Sequence, residues 1–394
     1  MRKNAPLLVA LVIILAFLTT MHKLGGVPGA GTAARPIASP SALLSSRDAP
    51  PDGANEVRTE MPRSSSEWSR WIKRPTMAAE QARNLELAER IGGRIRAVAV
   101  QGRYAYVGVE RRLAIVSVAD PAHPALIGLT AIFPGLVEGV AVAGNYAYVV
   151  VDGLGLRVIN VSDPAAPHEV GFCNTPGAAL EIAVAGNYAY IADDGNGLRV
   201  INISDPAAPR EVGAYETPGF ASAVAVAGSY AYVADGYSAL RVIDISDPAA
   251  PRQIGSCTAA IYARGVAVAG DYAYVADGYG GLRIIAVADP AAFRQVGFHD
   301  TPAYVRSVAV AGNDVYVADG WGGLRIVDVA DPAAPREVGS CSIRGDAWGV
   351  VVEGDYAYIA DGSVRSSGLC VVDISDPAWP REVGFLALPA VSGG

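Results

Sequence analysis

Residues 224–255 read VAVAGSYAYVADGYSALRVIDISDPAAPRQIG, four short apolar runs parted by turn residues. Val, Ile and Tyr fill the runs, and Gly, Asp-Gly and Asp-Pro separate them, which is strand-and-turn chemistry. Working outward, the leading residue recurs at Val98, Val140, Ile182, Val224, Val266, Val308 and Val350, a step of 42 residues. An Asp-Pro pair follows in every copy, at Asp120, Asp163, Asp205, Asp247, Asp289, Asp331 and Asp376. A period of this length also suits paired helices. Helical repeats need long runs of 3.6-residue periodicity, and these runs are short, β-branched and broken by Gly and Pro.

Four short strands per repeat of 40 to 45 residues is the propeller arrangement. Each blade is covered on both faces, which accounts for near-continuous apolar strands. A lone unit cannot bury both faces, so the ring must close. The sequence therefore predicts an all-β, seven-bladed propeller of four-stranded blades over 84–394. Two segments compete for the outer strand of the last blade, REVGFLAL (381–388) and NLELAERIGG (84–93).

The third-strand text, LRVIDISDPAAP (240–251), LRIVDVADPAAP (324–335) and LCVVDISDPAWP (369–380), follows YxYVADG-like sequence each time. On these residues the chain resembles the LVIVD-repeat family over 94–388. That resemblance implies an exported or surface propeller and supplies no active-site residues. WD40 blades differ, since no Gly-His or Trp-Asp pairs stand at the repeat positions.

Ahead of the repeats, Arg2 and Lys3 precede the apolar run Ala5 to Leu18. This is a targeting segment, read over 1–23 as a signal peptide or a signal anchor. Residues 24–83, rich in Pro, Ala, Ser and Gly, read as a linker. The expected location is extracytoplasmic, secreted or at the cell surface, with membrane contact only through residues 5–21. The formal net charge of −8 over 394 residues argues against a nucleic-acid partner.

Comparing the copies with one another separates two rims. The turns after the first strand (AGNY, AGSY, AGDY) and after the third (SDPAAP) barely vary. The second-to-third-strand hairpins and the blade-to-blade connections diverge, and in propeller topology both lie on the opposite rim. The candidate binding residues fall there: Phe133, Phe220, Tyr237, Tyr262, Tyr279, Tyr304, Trp321 and Trp348, with Arg264 and Arg306 near the channel mouth. Aromatic rings beside arginine are the usual composition of a recognition patch.

A second set reads as structural. Asp193, Asp235, Asp277 and Asp319 end second strands, while Arg199, Arg241, Arg283 and Arg325 begin third strands, so each pair flanks one hairpin. The competing reading is a metal-binding ring of carboxylates, which an adjacent arginine opposes. Cys173, Cys257 and Cys341 occupy one repeat position two blades apart, too far for a disulfide. No hydrolase, zinc or nucleotide motif is present. The expectation is a non-enzymatic, monomeric binding or scaffolding module, without cofactor or metal, for a protein or glycan at the variable rim. The alternatives are an extracytoplasmic hydrolase or lyase at the channel mouth, and a purely structural envelope protein.

Overall fold

A computed structural model describes residues 95–388, apart from 238, 239, 259, 261, 290, 291 and 364–366. All belong to the second of two units of the chain, Pro75–Gly394. The expected targeting segment, the linker and the segment 84–93 lie outside the described residues.

The repeat folds as predicted, into seven antiparallel sheets of four consecutive strands each. Blade 4 is representative: Ala223–Ala227, Tyr230–Ala234, Leu240–Asp244 and Arg252–Cys257, each strand paired with the next. Its first hairpin turns on Gly228 (φ 57) and Ser229, a two-residue loop whose first position requires a left-handed backbone and so takes glycine in every blade.

The first strands stand side by side around the axis, and blade 7 meets blade 1, so the ring is closed. Seven apolar cores result, one at each junction. At the last junction Val107, Ala114 and Val116 of blade 1 pack with Tyr358, Leu369 and Val371 of blade 7. Segment Arg381–Ala387 is the outer strand of blade 7, pairing with Gly368–Asp373. Among the described residues each blade is thus one uninterrupted length of chain, and no strand is exchanged between the ends.

The junctions also lock along the constant rim. Opposite the third strand, each outer strand carries a bulge next to a glycine, as at Val200↔Gly213 and Ile201↔Glu211. The Asp-Pro turn of the following blade sits on that glycine. A Cβ on Gly213 would stand 2.2 Å from the Pro248 carbonyl oxygen, and one on Gly384 would stand 2.1 Å from that of Pro121, across the closing junction. The turn itself is held by Asp247, whose Oδ1 accepts from the Ala249 N–H at 3.0 Å. At blade 5 the sequence has Phe293 where the other blades have proline, and its ring covers Gly255.

Candidate functional site

On the variable rim the hairpins of blades 3 to 6 are tied to the connection that enters the next blade. Isolated bridges join Gly236 to Ala263, Gly278 to Val305 and Gly320 to Ala347. Below the hairpins of blades 3 to 7 lies a fully buried aspartate, Asp193, Asp235, Asp277, Asp319 or Asp361, where blades 1 and 2 carry Val109 and Val151. Asp235 accepts from Thr217 Oγ1 at 2.5 Å, from the Gly219 N–H at 3.1 Å and from Arg241 Nε at 3.2 Å. Asp277 pairs with Arg283 at 3.0 Å, and Asp193 and Asp319 lie 3.6 Å from Arg199 and Arg325. Burial raises the Asp193 and Asp319 carboxyls, against the threonine and arginine contacts. The Thr-Pro pairs that supply Thr175, Thr217 and Thr301 are visible in the sequence, yet their partners stand in the next blade.

At the axis, one position of each inner strand faces the channel mouth. Around the ring it holds Arg96, Glu138, Leu180, Ser222, Arg264, Arg306 and Trp348, each 42 residues from the last. Arg96 is ion-paired with Glu138 across blades 1 and 2. Arg306 lies 2.9 Å from Asp346 and 3.8 Å from the centre of the Trp348 ring, whose Nε1 donates to Asp346 at 2.9 Å. Glu181 projects into the same mouth. Its side chain meets channel water but is ringed by the inner strands, and that enclosure pushes its carboxyl up to about 7, with Arg264 acting in the opposite direction.

Outward from the mouth, Arg264, Tyr279, Tyr304, Arg306, Trp321 and Asp346 line a pocket of about 390 Å³ between blades 5 and 6. Tyr279 meets Tyr304 edge-on at 4.9 Å between centroids, and Tyr237 meets Tyr262 in the same way at 4.6 Å one blade earlier. The next such pair would involve Trp321, but the equivalent of Tyr304 is Asp346. Tyr237, Tyr279 and Trp321 occupy equivalent hairpin tips and are 75%, 85% and 87% exposed. At the same register, blades 1 to 3 carry Arg111, Gly153 and Gly195. The aromatic tips therefore form one arc over blades 4 to 6.

Five of the residues proposed from sequence thus line one pocket: Arg264, Tyr279, Tyr304, Arg306 and Trp321. Tyr237 and Tyr262 continue the arc, Phe220 stands exposed at its start, and Trp348 is half-buried on the channel side. Phe133 is a correction. At 4% exposure it belongs to the core between blades 1 and 2, packed with Leu113 and Val137. Its connection is bound to the short blade 1 hairpin through the Arg111 carbonyl and Nε, which turns the ring inward. The sequence reading missed Asp346, Arg96, Glu138 and Glu181; only the strict repeat register marks them. Among the described residues, no three potential metal ligands converge, and the cysteines are free.

A model of the LVIVD repeat matches the chain at 92–130, 134–175, 176–217, 218–259, 261–301, 302–343 and 344–386. No curated protein matches it. Among solved structures, a functionally unknown protein from Desulfotomaculum acetoxidans is similar over 74% of this chain and 98% of its own, at 14% identity and a TM-score of 0.60. The Cps50 (Swd1) β-propeller domain from Myceliophteria thermophila is similar over 69% and 94%, at 11% identity and a TM-score of 0.58. The computationally designed Ika8 protein is similar over 71% and 96%, at 9% identity and a TM-score of 0.52. At these identities the likeness concerns the fold.

Proposed function

The chain belongs to the LVIVD-repeat family, and on that premise we propose that it is a non-enzymatic binding propeller, displayed or released outside the cytoplasm, that takes a partner on its variable rim. The observation that carries this reading is the arc of exposed rings over blades 4 to 6, beside the pocket that holds Arg264 and Arg306. Large exposed rings are costly to leave in water, and grouped on one face of a rigid scaffold they supply contact area at little entropic cost. The charged segment and apolar run at the N-terminus support the location.

A screen of glycans and proteins with the full chain tests this, repeated with Trp321→Ala and Trp348→Ala. Trp321 buries little, so its removal is expected to abolish partner binding with Tm within about 1 °C of the parent. Trp348 stacks with Arg306 and bonds to Asp346, so its removal is expected to lower Tm as well. Binding that is indifferent to Trp321→Ala sinks the rim reading.

One observation favours a second reading, an extracytoplasmic hydrolase or lyase at the channel mouth. Glu181 combines a carboxyl held up to about 7 with an arginine close enough to act on it, a combination suited to proton transfer.

A further inference from the structure

Building on the rim-binding reading, we infer that the pocket between blades 5 and 6 receives a carboxylate-bearing sugar residue of an acidic polysaccharide, with Arg264 and Arg306 on the carboxylate and Trp321 and Tyr279 against the sugar rings.

The arginines at the mouth differ in what each already holds. Arg96 is occupied by Glu138, and Arg306 is held on one side by Asp346. Arg264, at the equivalent position of blade 5, has no carboxylate within ion-pair distance among the described residues. Both Arg264 and Arg306 border the pocket, and the Asp346 carboxylate beside them is engaged by Arg306 and by the Trp348 indole. Within the pocket lining two guanidinium groups face one committed carboxylate, and Glu181, which acts on Arg264 from the channel mouth, lies outside that lining. A guanidinium presents paired N–H donors that match the two oxygens of a carboxylate.

The repeat also sets the shape of the rim. Tyr237, Tyr279 and Trp321 place one ring per blade at the same register, so the platforms recur at the interval of the blades. A chain of sugar rings has a matching character, with C–H faces that lie on aromatic rings and hydroxyls that stay in water. An extended peptide would draw its affinity from adding a strand to an open sheet edge. Here the hairpin tips are already bridged to the connections at Gly278–Val305 and Gly320–Ala347. A volume near 390 Å³ accommodates a small ring with its substituents.

Equilibrium titration of the full chain with polygalacturonate and with alginate tests the inference. A carboxyl-reduced polygalacturonate and poly-glutamate serve as comparisons. Binding to an acidic polysaccharide is expected, with a Kd at least tenfold weaker for the reduced polymer, for poly-glutamate, for Arg264→Gln and for Trp321→Ala, the variants keeping the parent Tm. Equal affinity for the reduced polymer overturns the carboxylate assignment, as does indifference to Arg264→Gln. Tighter binding of poly-glutamate overturns the sugar, and no binding of either acidic polysaccharide overturns the inference outright. If neither acidic polysaccharide binds while Trp321→Ala weakens capture of the reduced polymer or of poly-glutamate, the rim reading stands and this inference falls. If it weakens nothing, both fall.

Discussion

Glu181 stands where the other inner strands carry Ala97, Gly139, Ala223, Gly265, Ser307 and Gly349. Six small residues and one carboxylate share a ring, so no partner stands at the carboxylate's own register and only Arg264 acts on it. Its folded carboxyl titrates near 7 instead of 4.5, so the native state holds a proton that the unfolded chain has released between those values. Stability must then fall as pH rises through that window, and Glu181 is least favourable above it. Glu181→Gln is expected to unfold with the parent at pH 4 and to be more stable at pH 8. Channel water limits the gain to about 1 kcal/mol, and paired thermal melts at the two pH values measure it. Removing a buried hairpin carboxylate is a different case, because its partners are left behind. Asp235→Ala strands Arg241, whose side chain is 13% exposed, and frees Thr217; a loss of about 3 kcal/mol in denaturant unfolding is expected. The Asp–Arg pairs can be read from the sequence because both members flank one hairpin. The threonines that complete them belong to the preceding connection, and no short-range pattern reveals which carboxylate they reach.

The outer strand and the Asp-Pro turn behave as a single fitting across each junction. Both are nearly constant along the chain, and their constancy reads as turn chemistry until the neighbouring blade is in place. Then the glycine of REVG proves to be the seat of the next blade's turn, with backbone where a side chain would go. Gly213→Ala is expected to displace the Pro248 turn and cost about 1–3 kcal/mol, seen as a Tm lowered by several degrees. Gly195→Ala, where a Cβ meets nothing within 4 Å, is the matched control and is expected to change Tm little. The rim face was legible for a related reason. Hairpins and connections that diverge among otherwise equal copies must be loops, and topology puts them together. Phe133 escaped that logic because blade 1 has the shorter hairpin, so its connection folds down onto the core instead of standing clear of it. The mouth charges Arg96 and Glu138 escaped it too, since they sit at the starts of regular strands.

At the scale of the molecule, the blade count follows directly from counting copies, whereas the closing strand does not. REVGFLAL and NLELAERIGG both carry strand-forming text in register, and only the pairing of Arg381–Ala387 with Gly368–Asp373 decides between them. The cores lie between blades and never within one, so no blade is stable alone. Removing residues 344–388 bares the blade 6 face lined by Leu324 and Ile326 and the blade 1 face lined by Ile95 and Val107. That truncation is expected to lose the single cooperative thermal transition and to self-associate, which calorimetry and light scattering would show. A monomeric, cooperatively folded product would refute the closed-ring account of its stability.

A ring fastened by packing alone has a consequence for how it is made. Blades 1 to 6 each find a neighbour as soon as the next stretch of polypeptide emerges from the ribosome. The far side of blade 1, however, waits for its mate until blade 7, ending near Leu388, has been synthesised. Until then the nascent protein carries one sticky flank that only blade 7 can cover. If export does precede folding, the same delay is repeated beyond the membrane, where that flank must be shielded by a chaperone or outpaced by the speed of closure.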